Sequence, residues 1–92
     1  MEKEIEVVAR RDYSFTGNNG VVNVCEVTGT LQVNGGTRIV KVNVPEKIVE
    51  SLEEDDFVIE EGDSVIIKFD VIVDKNDKFK LLITNVTPTD TQ

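Results

Sequence analysis

Arg10 and Arg11 are followed closely by Tyr13 and Phe15 in the stretch RRDYSFTGNNG. Basic side chains hold phosphates and aromatic rings stack on bases, at roughly 1–3 kcal/mol per stacked base, so this spacing suits non-covalent capture of a nucleic-acid strand. A second group of the same kind, Lys75, Lys78, Phe79 and Lys80, lies towards the C-terminus, with Arg38, Lys41 and Lys68 between the two. A purely structural role competes with binding at each position. Phe15 could fold back to cap the core, Tyr13 could sit at its rim, and the bases could neutralise nearby acids.

Covalent chemistry finds little to use. The chain has no histidine to act as a general base, its one cysteine, Cys25, falls in a predicted strand, and the glycines of GNNG lead into a strand rather than a phosphate-cradling helix. Zinc ligation is excluded by the same inventory. DKNDK at 74–78 opens like a calcium loop with Asp74 and Asn76, but Lys78 takes the fifth position and no glycine or distal glutamate follows in register. The expectation is a binding protein with no metal or cofactor, and not an enzyme.

A net charge of −8 sets an acidic chain against that basic, aromatic stretch. The charge is unevenly placed, however. Residues 45–63 hold nine acids and one base, Lys47, whereas the rest of the chain holds nine of each and is neutral overall. A locally basic face is therefore compatible with the total. The N-terminal MEKEIEVVAR carries charges where a signal peptide needs an apolar stretch. No apolar run reaches the roughly 18 residues that cross a membrane, and a single cysteine forms no intrachain disulfide. These features read as a cytoplasmic protein, in which the Asn85-Val86-Thr87 sequon is a chance match.

The elements that must position the candidates are mostly strands. Lys3 to Arg11 alternates, with Ile5, Val7 and Ala9 inward and Glu4, Glu6, Val8 and Arg10 outward. Residues 12–20 read as a loop or the tip of a long hairpin. Val21 to Val33 is β-rich but changes apolar phase, with Val22 and Val24 on one face and Leu31 and Val33 on the other, which a bulge or bend near Gly29 would reconcile. Asn34-Gly35-Gly36 is a hairpin turn leading to a third strand, Thr37 to Val44, with Val40, Val42 and Val44 inward. Pro45 starts a short helix over roughly residues 45–54, with Ile48, Val49 and Leu52 on one face. Phe57 and Ile59 are expected to plug one end of the core, and Gly62-Asp63 to turn the chain. Val65 to Val73 alternates without a break, 74–78 is a polar turn, and Phe79 to Val86 is the fifth strand. Residues 1–87 form one domain and 88–92 a short flexible tail.

Five strands with a helix between the third and fourth is the order of an OB-fold, a partly open Greek-key barrel. The stretch EEGDSVIIKFDVIVDKNDKFKLLITNVTP resembles the last hairpin of OB-fold single-stranded DNA-binding proteins: a Gly-Asp turn, an alternating strand, a polar loop, a second strand and an exit at proline. In size and loop placement the whole chain is similar to the small members carried by phages and mobile elements. The fold class expected is thus all-β with one short helix. The resemblance implies a sequence-tolerant site for single-stranded DNA, or RNA, across strands two and three and the loops that flank them. There Arg10, Arg11, Arg38, Lys41, Lys68, Lys75, Lys78 and Lys80 would hold phosphates, and Tyr13, Phe15 and Phe79 would stack bases. A homodimer would lengthen the short track that one barrel offers. The chain departs from the family in having no tryptophan, one tyrosine and four phenylalanines.

The acids support another function. Glu50, Glu53, Glu54, Asp55, Asp56, Glu60 and Glu61 could imitate a phosphate backbone and engage a basic protein partner, as an inhibitory module would. Their structural role is a solvated helix face that keeps the chain soluble.

Overall fold

The computed structural model describes residues 1–89. Among them the chain forms β1 (Glu2–Gly17), β2 (Gly20–Val33), β3 (Gly36–Val44), the helix α1 (Glu46–Glu54), β4 (Ser64–Val73) and β5 (Phe79–Pro88). All neighbouring strands are antiparallel, in the order β3-β2-β1-β4-β5. Three hairpin-linked strands followed by a fourth that returns beside the first is a Greek key. The five-stranded OB-fold class expected from the sequence is present, with the seam between β3 and β5 left unpaired, so that the barrel is not closed.

Alternation explains the core, with one bulge at Thr84 of β5 that lets Ile83 and Val86, three residues apart, both face it. Ile5 and Val7 from β1, Cys25 and Val27 from β2, Val44 from β3, Val65 and Ile67 from β4, and Ile83 and Val86 from β5 are buried together. Helix α1 begins at Pro45, whose extended ψ of 144° turns the chain out of β3, and it delivers Leu52 to the core with Ile48 and Val49 beside it. Ile59 is buried and Phe57 half-buried, as the plug requires.

One irregularity redirects the first strand. Val7 pairs with Gly29 and Ala9 with Thr28, so Val8 is an extra residue in the ladder, a β-bulge. The backbone there is held from outside: Val7 N–H donates to Asp63 O at 2.7 Å, and Gly62 N–H donates to Val7 O at 2.9 Å. The bulge reverses the side-chain phase that follows. Ala9, expected inward, is exposed, and Arg10, expected outward, is half-buried opposite buried Val27. The bulge predicted in the second strand is therefore opposite Gly29 rather than within β2, where Cys25, Val27, Gly29 and Leu31 keep one phase and Val22 and Val24 the other.

Residues 12–20 are not a loop. The β1–β2 ladder continues to Gly17↔Gly20, leaving only Asn18 and Asn19 at the tip, with Gly20 at φ 115°. The polar alternation of Asp12, Ser14 and Thr16 with Tyr13 and Phe15 is that of a two-sided projecting hairpin. Because β1 pairs with β4 only over Glu2–Glu6 and Ser64–Lys68, the β1–β2 and β4–β5 hairpins leave this shared segment in opposite directions. Helix α1 lies at the β1–β2 end, where Asn23 Nδ2 donates to Glu46 Oε1 at 3.2 Å. The β2–β3 turn lies at the β4–β5 end. The fifth strand runs through Pro88, and Thr89 donates to Ser64 O from both its amide and its hydroxyl. The remainder of the expected tail, residues 90–92, falls outside the described residues.

Candidate nucleic-acid interface

Cross-strand register decides which candidates share a surface, because directly opposed residues of an antiparallel pair point to the same side. Arg11 opposes Glu26, Tyr13 opposes Val24 and Phe15 opposes Val22, so all six lie on the outer face of β1–β2. On β3 the same face carries Asn43 beside Glu26, Lys41 beside Thr28, and Ile39 beside Thr30. The outer face thus reads, from the helix end, as a row of rings and valines, then Arg11, Glu26 and Asn43, then small side chains flanked by Lys41. Tyr13 is 38% and Phe15 50% exposed. Neither folds back over the core. The Arg11 guanidinium sits 4.5 Å from the Tyr13 ring centroid, a cation–π contact that orders both, and Arg11 Nε is 3.7 Å from Glu26 Oε1.

Arg10 belongs to the opposite face. Its Nε and Nη2 donate to the two Asp12 carboxylate oxygens at 2.9 and 3.0 Å, and its Nη1 donates to Ile59 O at 3.2 Å. Glu53 Oε2 lies 3.9 Å away, and the Arg10 side chain is only 16% exposed. Its hydrogen bonds to Asp12 raise its own pKa and hold the Asp12 carboxyl below the usual carboxylate range. Arg10 therefore ties the hairpin to the chain after the helix and is withdrawn from the surface that bears Arg11.

The remaining candidates are dispersed. Arg38 opposes Leu31 and so has the inward phase, at the open mouth of the barrel. Lys68 lies between Glu2 and Asn85 on the β4 side. Lys75 and Lys78 are in the β4–β5 turn, which Asp74 organises by accepting from the Asn76 and Lys78 amides at 2.8 and 3.0 Å. Those two bonds hold the Asp74 carboxyl below its ordinary range. Lys80 is 3.6 Å from Asp74 and opposes Ile72, while Phe79 opposes Val73 on the other side of the hairpin. Phe79 and Lys80 thus cannot serve one ligand surface together. The expected convergence of all the basic and aromatic residues is replaced by a row, Arg11, Tyr13 and Phe15, with Lys41 on the same face two strands away. Val22, Val24, Glu26 and the two threonines complete that face; only register exposes them, since nothing in their local sequence distinguishes them from other strand residues.

No family model matches the chain, and no curated protein or solved structure matches it either. The chemistry of the outer face is the guide to function. Among the described residues, no three metal-ligating side chains gather, and no helix is long and apolar enough to cross a membrane.

Between the inner side of β1–β2 and the start of α1 lies a cleft of about 340 Å³, lined among others by Arg10, Asp12, Cys25, Glu46 and Val49. Burial pushes the Cys25 thiol up to about 11, and the nearby Asp12 carboxylate adds to this against the opposing Arg10 charge. The thiolate is the reactive form, so native Cys25 is expected to react with a disulfide reagent at pH 8 at least tenfold more slowly than in denaturant. Equal rates would show the thiol to be open. The same shift has a stability consequence. Between about pH 9 and 11 the unfolded thiol loses its proton while the folded one keeps it, so folding stability falls as pH rises through that window.

The acidic residues follow the helix and its exit. Glu50, Glu54, Asp55, Asp56, Glu60 and Glu61 are exposed and make no ion pair among the described residues, whereas Glu53 approaches Arg10. They lie on the side of the hairpin opposite the aromatic row.

Proposed function

We propose that the outer face of β1–β2–β3 binds single-stranded nucleic acid with little sequence preference. The observation that carries this reading is the exposed row of Arg11, Tyr13 and Phe15 on one face, with Lys41 on the same surface two strands away. Rings that stay open to solvent provide stacking platforms for any base, and the two cations track the backbone. Thr28 and Thr30 keep the centre of the sheet low, so that a strand can lie across it. A phosphate bound by Arg11 takes the place of Glu26, whose carboxylate lies 3.7 Å from the Arg11 Nε. The acids of α1, on the other side of the hairpin, repel a strand from that side and so favour the outer face.

Fluorescence anisotropy of labelled oligo-dT at about 50 mM and about 200 mM salt tests this, since phosphate-driven affinity is greatest at low salt. Undetectable binding at the lower salt overturns the proposal. The two arginines separate its parts. Arg11→Ala is expected to reduce the salt slope by about 0.7, the value of one phosphate contact on a single strand. Arg10→Ala is expected to leave the slope alone and to lower folding stability by about 1–2 kcal/mol, because it removes the bond to the Ile59 carbonyl and leaves Asp12 without its donor. Equal slope changes for the two variants would place Arg10 among the phosphate contacts. Capture of a basic protein with no oligo-dT binding would favour the acidic surface as the functional one.

A further inference from the structure

We infer that the β4–β5 hairpin is a self-association surface, and that its occupant is the same hairpin of a second copy of this chain. Beyond the β5 bulge at Thr84, where the register passes from Lys68↔Asn85 to Phe69↔Ile83, the pairs Val71↔Leu81 and Val73↔Phe79 continue the phase of Phe69↔Ile83, which belongs to the core. The interior face of the barrel is therefore prolonged into solvent as an apolar strip with nothing packed on it. Phe79 is 78% exposed and Leu81 58%. The strip is continuous with an apolar cleft of about 100 Å³ at the open mouth of the barrel, between Val40 and Val42 of β3 and Leu81 and Ile83 of β5.

Area and charge both point to a second copy. Phe79 alone presents on the order of 150 Å². With Val71, Val73 and Leu81 the strip approaches roughly 400 Å², within the range of the largest apolar patches on monomeric proteins, which are often functional. Two strips face to face, with their polar margins, bury on the order of 1,000 Å², which reaches the lower limit of a specific interface. The net charge of −8 is concentrated in residues 45–63, so two copies that meet through α1 and its exit repel each other. Residues 69–83 lie outside that segment and are neutral, since Asp70, Asp74 and Asp77 balance Lys75, Lys78 and Lys80. Two hairpins can meet about a two-fold axis without like-charge cost, each supplying the same patch. A nucleic-acid strand is a poorer fit, because Lys80 is turned to the other face and lies near Asp74.

This inference does not rest on strand binding, and its test contains no nucleic acid. The nuclease-treated full chain is measured by light scattering over about 1–200 μM, a span that reveals mass action for a weak dimer. The expected mass rises towards twice the 10.3 kDa of one chain. Phe79→Ser with Leu81→Ser is expected to hold the protein at monomer mass throughout, with an unchanged circular dichroism spectrum because both side chains are exposed. Ile72→Ser with Lys80→Ser, on the opposite face of the same hairpin, is expected to dimerise as the parent does. A parent that stays monomeric, a species that grows beyond a dimer, or two variants that behave alike would each overturn the assignment.

Discussion

Gly29→Ala is expected to destabilise the fold by about 2–3 kcal/mol, near the top of the range for overpacking a well-filled interior. A Cβ at this position would stand 2.7 Å from the Glu6 carbonyl oxygen and 3.1 Å from Ile5 Cδ1. Neither neighbour can give way easily. Glu6 is paired to Ser64 in the β1–β4 ladder, and Ile5 is buried in the core. The close approach exists because the bulge presses β1 onto β2 at this point, and the bulge is in turn held by the Val7 bonds to residues 62 and 63. For a domain of this size the loss corresponds to a fall of roughly 10–20 °C in melting temperature. Gly17→Ala is the control: its Cβ would find its nearest neighbour, Val22 Cγ2, at 3.4 Å, an ordinary contact. Melting of Gly29→Ala within a few degrees of the parent would mean that β1 and β2 can separate there without penalty.

Gly29 also marks where the sequence stops being legible. The β4 alternation, the Asn34-Gly35-Gly36 turn and the apolar face of α1 are local patterns, and each element forms where its pattern lies. The β1 bulge is not local. Ile5, Val7 and Ala9 continue an apolar alternation straight through it, and the residue that permits it sits on another strand. Missing the bulge puts Arg10 on the wrong face, because one extra residue inverts every side chain after it. The length of the first hairpin was hidden for a different reason. Asn18, Asn19 and their flanking glycines are turn residues and Asp12 is a poor strand former, so only pairing with β2 makes one strand of the whole stretch.

The candidate site was half legible for the same reason. Residue types identified Arg11, Tyr13, Phe15 and Lys41, but proximity in sequence could not separate Phe79 from Lys80, adjacent residues that a pleated strand sends to opposite faces. Register, not composition, divides the basic and aromatic residues into an exposed outer row, an internal tie and a projecting apolar hairpin.

The aromatic row gives the most direct measure of that division. Tyr13→Ala with Phe15→Ala is expected to weaken oligo-dT binding by about 2–4 kcal/mol, roughly 30- to 1,000-fold, since each stacked base contributes about 1–3 kcal/mol and both rings are partly packed on the hairpin. The salt slope should not move, because Arg11 and Lys41 keep their charges and Arg11 loses only its contact with the Tyr13 ring. Folding stability should fall modestly, by about 0.2–1 kcal/mol for each lost cross-strand pair with Val24 and Val22. Exchanging the rings, Tyr13→Phe with Phe15→Tyr, should restore affinity, since stacking needs the π-face and not the hydroxyl. If the rings instead served only to cap the barrel, the alanine pair would lower the melting temperature substantially and leave affinity unchanged. The two roles therefore predict opposite orders of effect in binding and in stability, and one pair of variants measured by anisotropy and thermal melting separates them.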